Sequence, residues 1–235
     1  MKSHGDKFVM SEPDEIRFEK GEPKMYSKEE RLEKRIKYEM PSTEEILRAH
    51  TAFMDHETRD LFYRTAIELV RLAKEGKTEI KPEEAIATLL LTWNAAYYQY
   101  REFNEAHLCS LAALMKKHAD VLDAFQTRTI NDMDGEKDTI ESIFGEFETL
   151  LGPVGAAKVL HLLAPRFFPL WDNKIVQRGY HMYFLKAGQN AAMYYVVMRA
   201  QKAQCANFSD ERLNGMNPLK LIDEYNYSKY TKGWI

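Results

Sequence analysis

Apolar positions along this chain recur at intervals of three and four residues, and no stretch alternates with the two-residue period of a half-buried strand. Ser42 and Glu45 form a capping box. They open a helical pattern through Ile46, Leu47, Phe53, Leu61, Phe62, Ile67, Leu69, Val70 and Leu72, with a break near Asp55 and His56 and a stop at Gly76. Pro82, followed by Glu83 and Glu84, suits a helix first turn. The helix it opens, 83–93, is apolar nearly all round and reads as central and buried. The same spacing predicts helices over 104–118, 120–125, 138–151, 155–163, 173–185, 189–204 and 218–225. The chain therefore reads as all-α, with about ten short helices and no internal repeat.

Residues 1–40 break the pattern. Between Arg17 and Tyr38 nearly every second residue is charged, and apolar residues are sparse. Ser27 and Glu30 fit another capping box, which predicts a short helix over 28–39. This segment is expected to be a solvated arm touching the body through Met25, Tyr26, Leu32 and Ile36, with residues 41–235 forming the globular domain.

Composition narrows the function classes. Hydrophobic residues make up 45% and charged residues 29% of the 235 positions, enough for a core inside a polar surface. No apolar run approaches the ~20 residues that span a bilayer, so no membrane partner is expected. The N-terminus lacks the charged-then-apolar layout of a signal peptide. Cys109 and Cys205 stand far apart, and a cytoplasmic protein with reduced thiols is the expectation. The net charge of -3 counts against a protein held mainly by phosphate contacts, while leaving room for a local basic face. Asp132, Asp134, Glu136 and Asp138 hint at a calcium loop, but the twelfth position from Asp132 is Ile143 rather than a bidentate Glu. No metal and no cofactor are expected.

The chemistry concentrates between Gly152 and Ile175. Gly152, Pro153, Val154 and Gly155 form a turn that opens a helix, and Ala157, Lys158 and His161 follow on it. An aromatic segment comes next, with a single carboxylate: Phe167, Phe168, Leu170, Trp171, Asp172, Asn173, Lys174, Ile175. A carboxylate in such company is costly to bury unpaired. It should cap the following helix, perform chemistry, or do both. This arrangement resembles the helix-hairpin-helix DNA glycosylases, in which a Gly-x-Gly hairpin opens a helix and a catalytic Asp follows about fifteen to twenty residues later. A second patch, Leu90, Leu91, Thr92, Trp93, Asn94 and Ala95, is similar to the pocket-lining helix of archaeal 8-oxoguanine glycosylases. The two patches come in the family's order and span roughly half of the chain.

The resemblance implies a two-lobed helical fold and a DNA partner. It implies Asp172 as the catalytic carboxylate, backbone N–H groups around Gly152, Val154, Gly155 and Ala157 that hold a phosphate, and Lys158 and Lys174 near the nucleic acid. Thr92, Trp93, Asn94 and Trp171 would form the base pocket. The family's Schiff-base lysine follows the hairpin glycines, and Lys158 is out of that register by one position or more, which on a helix is a rotation of ~100°. Lys174 stands where the family has a histidine, and Pro153 interrupts the hairpin. These departures imply a monofunctional hydrolase rather than a lyase. The alternative is a non-catalytic helical protein on the same scaffold that binds nucleic acid, a nucleotide or a protein. His161, on an apolar face, reads as a satisfied core histidine.

Overall fold

A computed structural model gives the fold and describes residues 26–206, 208 and 210–235. Among these residues every regular element is helical and there is no strand, as the apolar spacing predicts. The first 25 residues, Met25 included, lie outside the described part.

Helix α1 (Lys28–Arg35) opens on the expected capping box, with Glu30 N donating to Ser27 Oγ and Ser27 N donating to Glu30. It ends earlier than the predicted 39, because Ile36 turns extended (φ -62°, ψ 132°). The body then recruits the backbone: Lys37 N donates to the Tyr180 carbonyl at 3.2 Å. Met40, preceding Pro41, is also pushed away from helical geometry. Glu29 and Glu33 pair with Lys137 and Arg199, so α1 lies docked rather than free.

Helices α2 (Thr43–His56) and α3 (Asp60–Lys74) are separated at Glu57 to Arg59, where the sequence predicts a break. Helix α4 (Pro82–Trp93) is the buried central helix, and the short α5 (Ala95–Tyr98), α6 (Glu105–Lys117) and α7 (Ala119–Gln126) follow. Helix α8 (Lys137–Leu163) is two arms joined at Gly152, whose φ of 71° a side chain rarely adopts. The Tyr97 ring also covers Gly152, so a Cβ there would lie 2.7 Å from Tyr97 Cε2. Pro153 does not disturb this join: it takes the first turn of the second arm, where no N–H is required. Helices α9 (Ala191–Cys205) and α10 (Pro218–Asn226) complete the order, and α10 runs into a wide π-type turn over Tyr227–Lys232.

α3 packs on α4, α8 on α9 and α2 on α10. The main core is aromatic, with Phe125 stacked on Phe167 and Phe144 on Tyr194, both at 4.1 Å between ring centroids. A smaller apolar cluster joins Ile46 and Ala49 of α2 to Leu221, Ile222 and Tyr225 of α10. No helix among the described residues is long and apolar enough to cross a membrane.

The helix predicted over 173–185 is not continuous. A π-type turn, Ile175–Gly179, is followed by irregular chain through His181 at φ 56°. Side chains take over the hydrogen bonds a helix would use. Asn190 Oδ1 accepts from Leu185 N at 2.6 Å, and Asn190 N donates to the fully buried Glu148 at 3.0 Å.

Candidate active site

The C-terminal end of α4, the second arm of α8, the loop after it and the C-terminal turn enclose a cavity of about 310 Å³. Trp93, Asn94, Val154, Lys158, Trp171, Asp172 and Lys174 all line it. Residues that the sequence separates by some eighty positions thus face one space.

Each of these side chains is held by its own element. Trp93 donates its indole N–H to the Arg59 carbonyl at 2.8 Å and stacks on Tyr63 with an interplanar angle of 19°. Asn94 ends α4, leaving helical geometry at φ -121°, ψ 27°. Trp171 donates to the Pro153 carbonyl at 2.9 Å, tying the acid-bearing loop to the hairpin. Its ring is buried edge-on among Phe144, Phe184 and Tyr194.

Asp172 caps and faces the cavity at once. Its Oδ1 accepts from Ile175 N at 2.7 Å, and its Oδ2 accepts from the Thr231 hydroxyl at 3.3 Å. Lys158 lies opposite, buried, with its ammonium donating to the Trp93 carbonyl. Burial pulls its pKa down to about 8, against the pull of the Asp172 and Asp223 charges. Lys174 and Asn173 are exposed at the rim.

Other predicted positions lie off the cavity. The Thr92 hydroxyl bonds back to the Thr88 carbonyl at 2.7 Å within α4 and is not part of the lining. Gly155 and Ala157 are buried in the packing of the second arm, where a Cβ on Gly155 would meet Leu151 Cβ at 2.9 Å. Gly152 lies under Tyr97. His161 is the satisfied core histidine the sequence suggests. Since the Phe168 carbonyl can only accept, His161 Nδ1 carries the proton (2.7 Å) and Nε2 accepts from the Tyr63 hydroxyl (2.9 Å). Burial lowers its pKa to about 4. No group of acidic, His or Cys side chains that would hold a metal ion occurs among the described residues.

One wall of the cavity was not read from the sequence. Glu57, Arg59, Asp223, Tyr227 and Thr231 line it. Arg59 donates through Nε and Nη2 to both Glu57 oxygens, each at 2.8 Å, and Nη2 also reaches the Tyr227 hydroxyl at 2.7 Å. This fork holds the Glu57 carboxyl down at a pKa of about 2. Asp223 goes the other way: burial raises its pKa to about 7. The available signal was the spacing of Lys220, Asp223, Glu224, Tyr227 and Thr231, which places them along one face of a helix. Such a stripe ordinarily marks a solvated face, and here it turns inward.

The cavity therefore brings a carboxylate, a buried amine and two tryptophan side chains to one space. Compared with known proteins, the chain matches no protein-family model, no curated protein and no solved structure.

Proposed function

We propose that this protein is a DNA N-glycosylase that excises a damaged base, with Asp172 as its catalytic carboxylate. The observation that carries this reading is the shared cavity, in which Asp172 meets Trp93, Asn94 and Lys158. Cleavage of an N-glycosidic bond builds positive charge on the sugar, and a fixed carboxylate in a partly dry site stabilises it and orients the attacking water. The aromatic edges of Trp93 and Trp171 suit an extruded base, and Asn94 supplies an amide to its edge. Lys174 and Arg59 at the opening suit the flanking phosphates.

The test is single-turnover excision from duplexes carrying oxidised, deaminated and alkylated bases. The wild-type protein is expected to release at least one of them, and Asp172→Asn to lose ~100-fold or more of that rate. Absence of excision from every duplex, with retained binding to DNA, nucleotide or protein, would support the non-catalytic alternative.

Lys158 favours a second reading of the same site. With its pKa near 8, roughly a tenth of the amine is uncharged at pH 7. Although out of register in the sequence, it faces the cavity occupied by Asp172. A neutral amine there can attack the sugar carbon as the base leaves with the electron pair of the glycosidic bond. The sugar ring then opens to an imine, the amine's two protons going to the base and to the ring oxygen, which adds lyase chemistry. Borohydride reduction would then trap a covalent protein–DNA species with the wild type and not with Lys158→Met. If no adduct forms although the base is released, the hydrolase reading stands.

A further inference from the structure

Of the three carboxyl side chains that line the cavity, Asp172 and Asp223 are held in different ways. Asp172 receives two hydrogen-bond donors, Ile175 N and the Thr231 hydroxyl. Asp223, only 8% exposed, has Lys220 as its ion-pair partner at 3.7 Å. That ammonium is shared with closer anions, Glu224 at 3.2 Å and Asp60 at 3.3 Å.

The groups facing Asp223 come from every side. On α10 they are Lys220 and Glu224, the latter joined at 2.6 Å to His50 of α2. From α3 come Asp60 and the Tyr63 hydroxyl, whose pKa Asp223 itself helps to raise. Across the cavity stand Lys158 of α8 and Asp172, with the Glu57–Arg59 fork on the same lining. Lys220 and Lys158 favour the charged form of Asp223, whereas Asp172, Glu224 and burial oppose it, and burial is the largest effect. Arg64 also reaches Asp60 at 3.4 Å, so the cluster around Asp223 draws cations from α2, α3 and α10. A carboxyl that burial pushes toward the neutral form, facing a cavity, is placed to donate a proton.

We propose that Asp223 is the proton donor to the departing base. This assignment rests on the glycosylase reading of the cavity and adds the second half of the acid–base pair. The N-glycosidic bond breaks with its electron pair on the base nitrogen, and the Asp223 proton goes to the base. Water adds to the sugar carbon and gives a proton to Asp172, and exchange with solvent restores it to Asp223. The substrate class follows: a neutral base that is a poor leaving group as its anion gains most from such a donor. A base already cationic through alkylation has no need of it.

The experiment is single-turnover excision against pH by the full-length wild type, Asp223→Asn and Asp223→Glu, with folding checked by thermal melting. The wild-type rate is expected to fall as pH rises past about 7. Asp223→Asn should lose ~100- to 1,000-fold on a neutral base and lose that pH limb, and Asp223→Glu should restore part of both. A second readout is the carbon-13 carboxyl resonance that disappears in Asp223→Asn, which should titrate near neutrality. Unchanged rate and pH limb in Asp223→Asn, alongside loss in Asp172→Asn, would overturn this assignment and leave the glycosylase reading standing. Titration of that resonance below pH 5, with the assignment made from Asp223→Glu if Asp223→Asn failed to fold, would overturn it in the same way. If the wild type excises no base at all, the glycosylase reading and this one fail together.

Discussion

The two walls of the cavity are built on opposite principles. Behind Asp172 the wall consists of rings, with Trp171 set edge-on against Phe144, Phe184 and Tyr194. Behind Asp223 it consists of charge: Lys220 amid Asp60, Asp223 and Glu224, with the Phe53 ring 4.0 Å from the ammonium. Apolar packing stabilises without regard to pH and positions Asp172 rigidly. A buried ion cluster contributes little net stability and costs much if it loses one member. A fold that needed only a core would have filled the second wall with leucines. Its charges are best understood as setting the protonation of the groups that face the cavity.

The largest effects should come from breaking either wall. Trp171→Ala is expected to cost ~3–5 kcal/mol in denaturant unfolding, by the same amount at pH 5 and pH 8. Lys220→Met should cost a similar ~3–5 kcal/mol at pH 8, because it strips Asp223 of its ion-pair partner and leaves Asp60 and Glu224 with only Arg64 and His50. At pH 5, where Asp223 is neutral and His50 charged, that cost should shrink. Equal pH dependence in the two variants would abolish the contrast between the walls.

Lys158→Met comes next and has the opposite sign. The folded-state pKa is lowered from 10.5 to about 8, so the burden of burying the ammonium is full below pH 8 and vanishes above 10.5. Its removal should stabilise the protein by ~3 kcal/mol at pH 7. A melting series from pH 7 to 10.5 should show the gain fading. A variant less stable than wild type throughout would mean that its bond to the Trp93 carbonyl outweighs desolvation.

Asp223 gives a graded signal of comparable size. A carboxyl whose folded-state pKa rises from 3.8 to about 7 imposes no burden below 3.8 and a growing one up to about 7. Wild-type stability should therefore decline over that interval relative to Asp223→Asn, measured by urea midpoints at each pH. Smallest is Ser42→Ala, which removes the α2 cap formed by Ser42 and Glu45 and should cost ~1 kcal/mol.

The sequence showed the ring-built wall far better than the charged one. The caps at Ser27, Ser42 and Asn104, the stop at Gly76 and the join at Gly152 are local signals, and each marks a real boundary. Trp93, Asn94, Trp171 and Asp172 could be singled out because a polar group amid apolar ones stands out. Lys158, expected near the nucleic acid and out of the lyase register, lines the cavity from the second arm of α8, and its burial there depends on the packing of α4 against that arm. The charged face of α10 was illegible for another reason. Lys220, Asp223 and Glu224 look like surface until α2 and α3 bring His50 and Asp60 to them. The irregular chain after Gly179 escaped notice because Asn190 and Glu148, distant in sequence, supply its hydrogen bonds.

The central claim is that Asp172 acts on a glycosidic bond in the cavity it shares with Trp93, Asn94 and Lys158. Single-turnover incubation of full-length wild type and Asp172→Asn with lesion-bearing duplexes tests it most directly, with the released base quantified. Release by the wild type is expected, with a loss of ~100-fold or more in an Asp172→Asn protein that melts as a folded one. Release at the same rate by both, or by neither on any lesion, would contradict it.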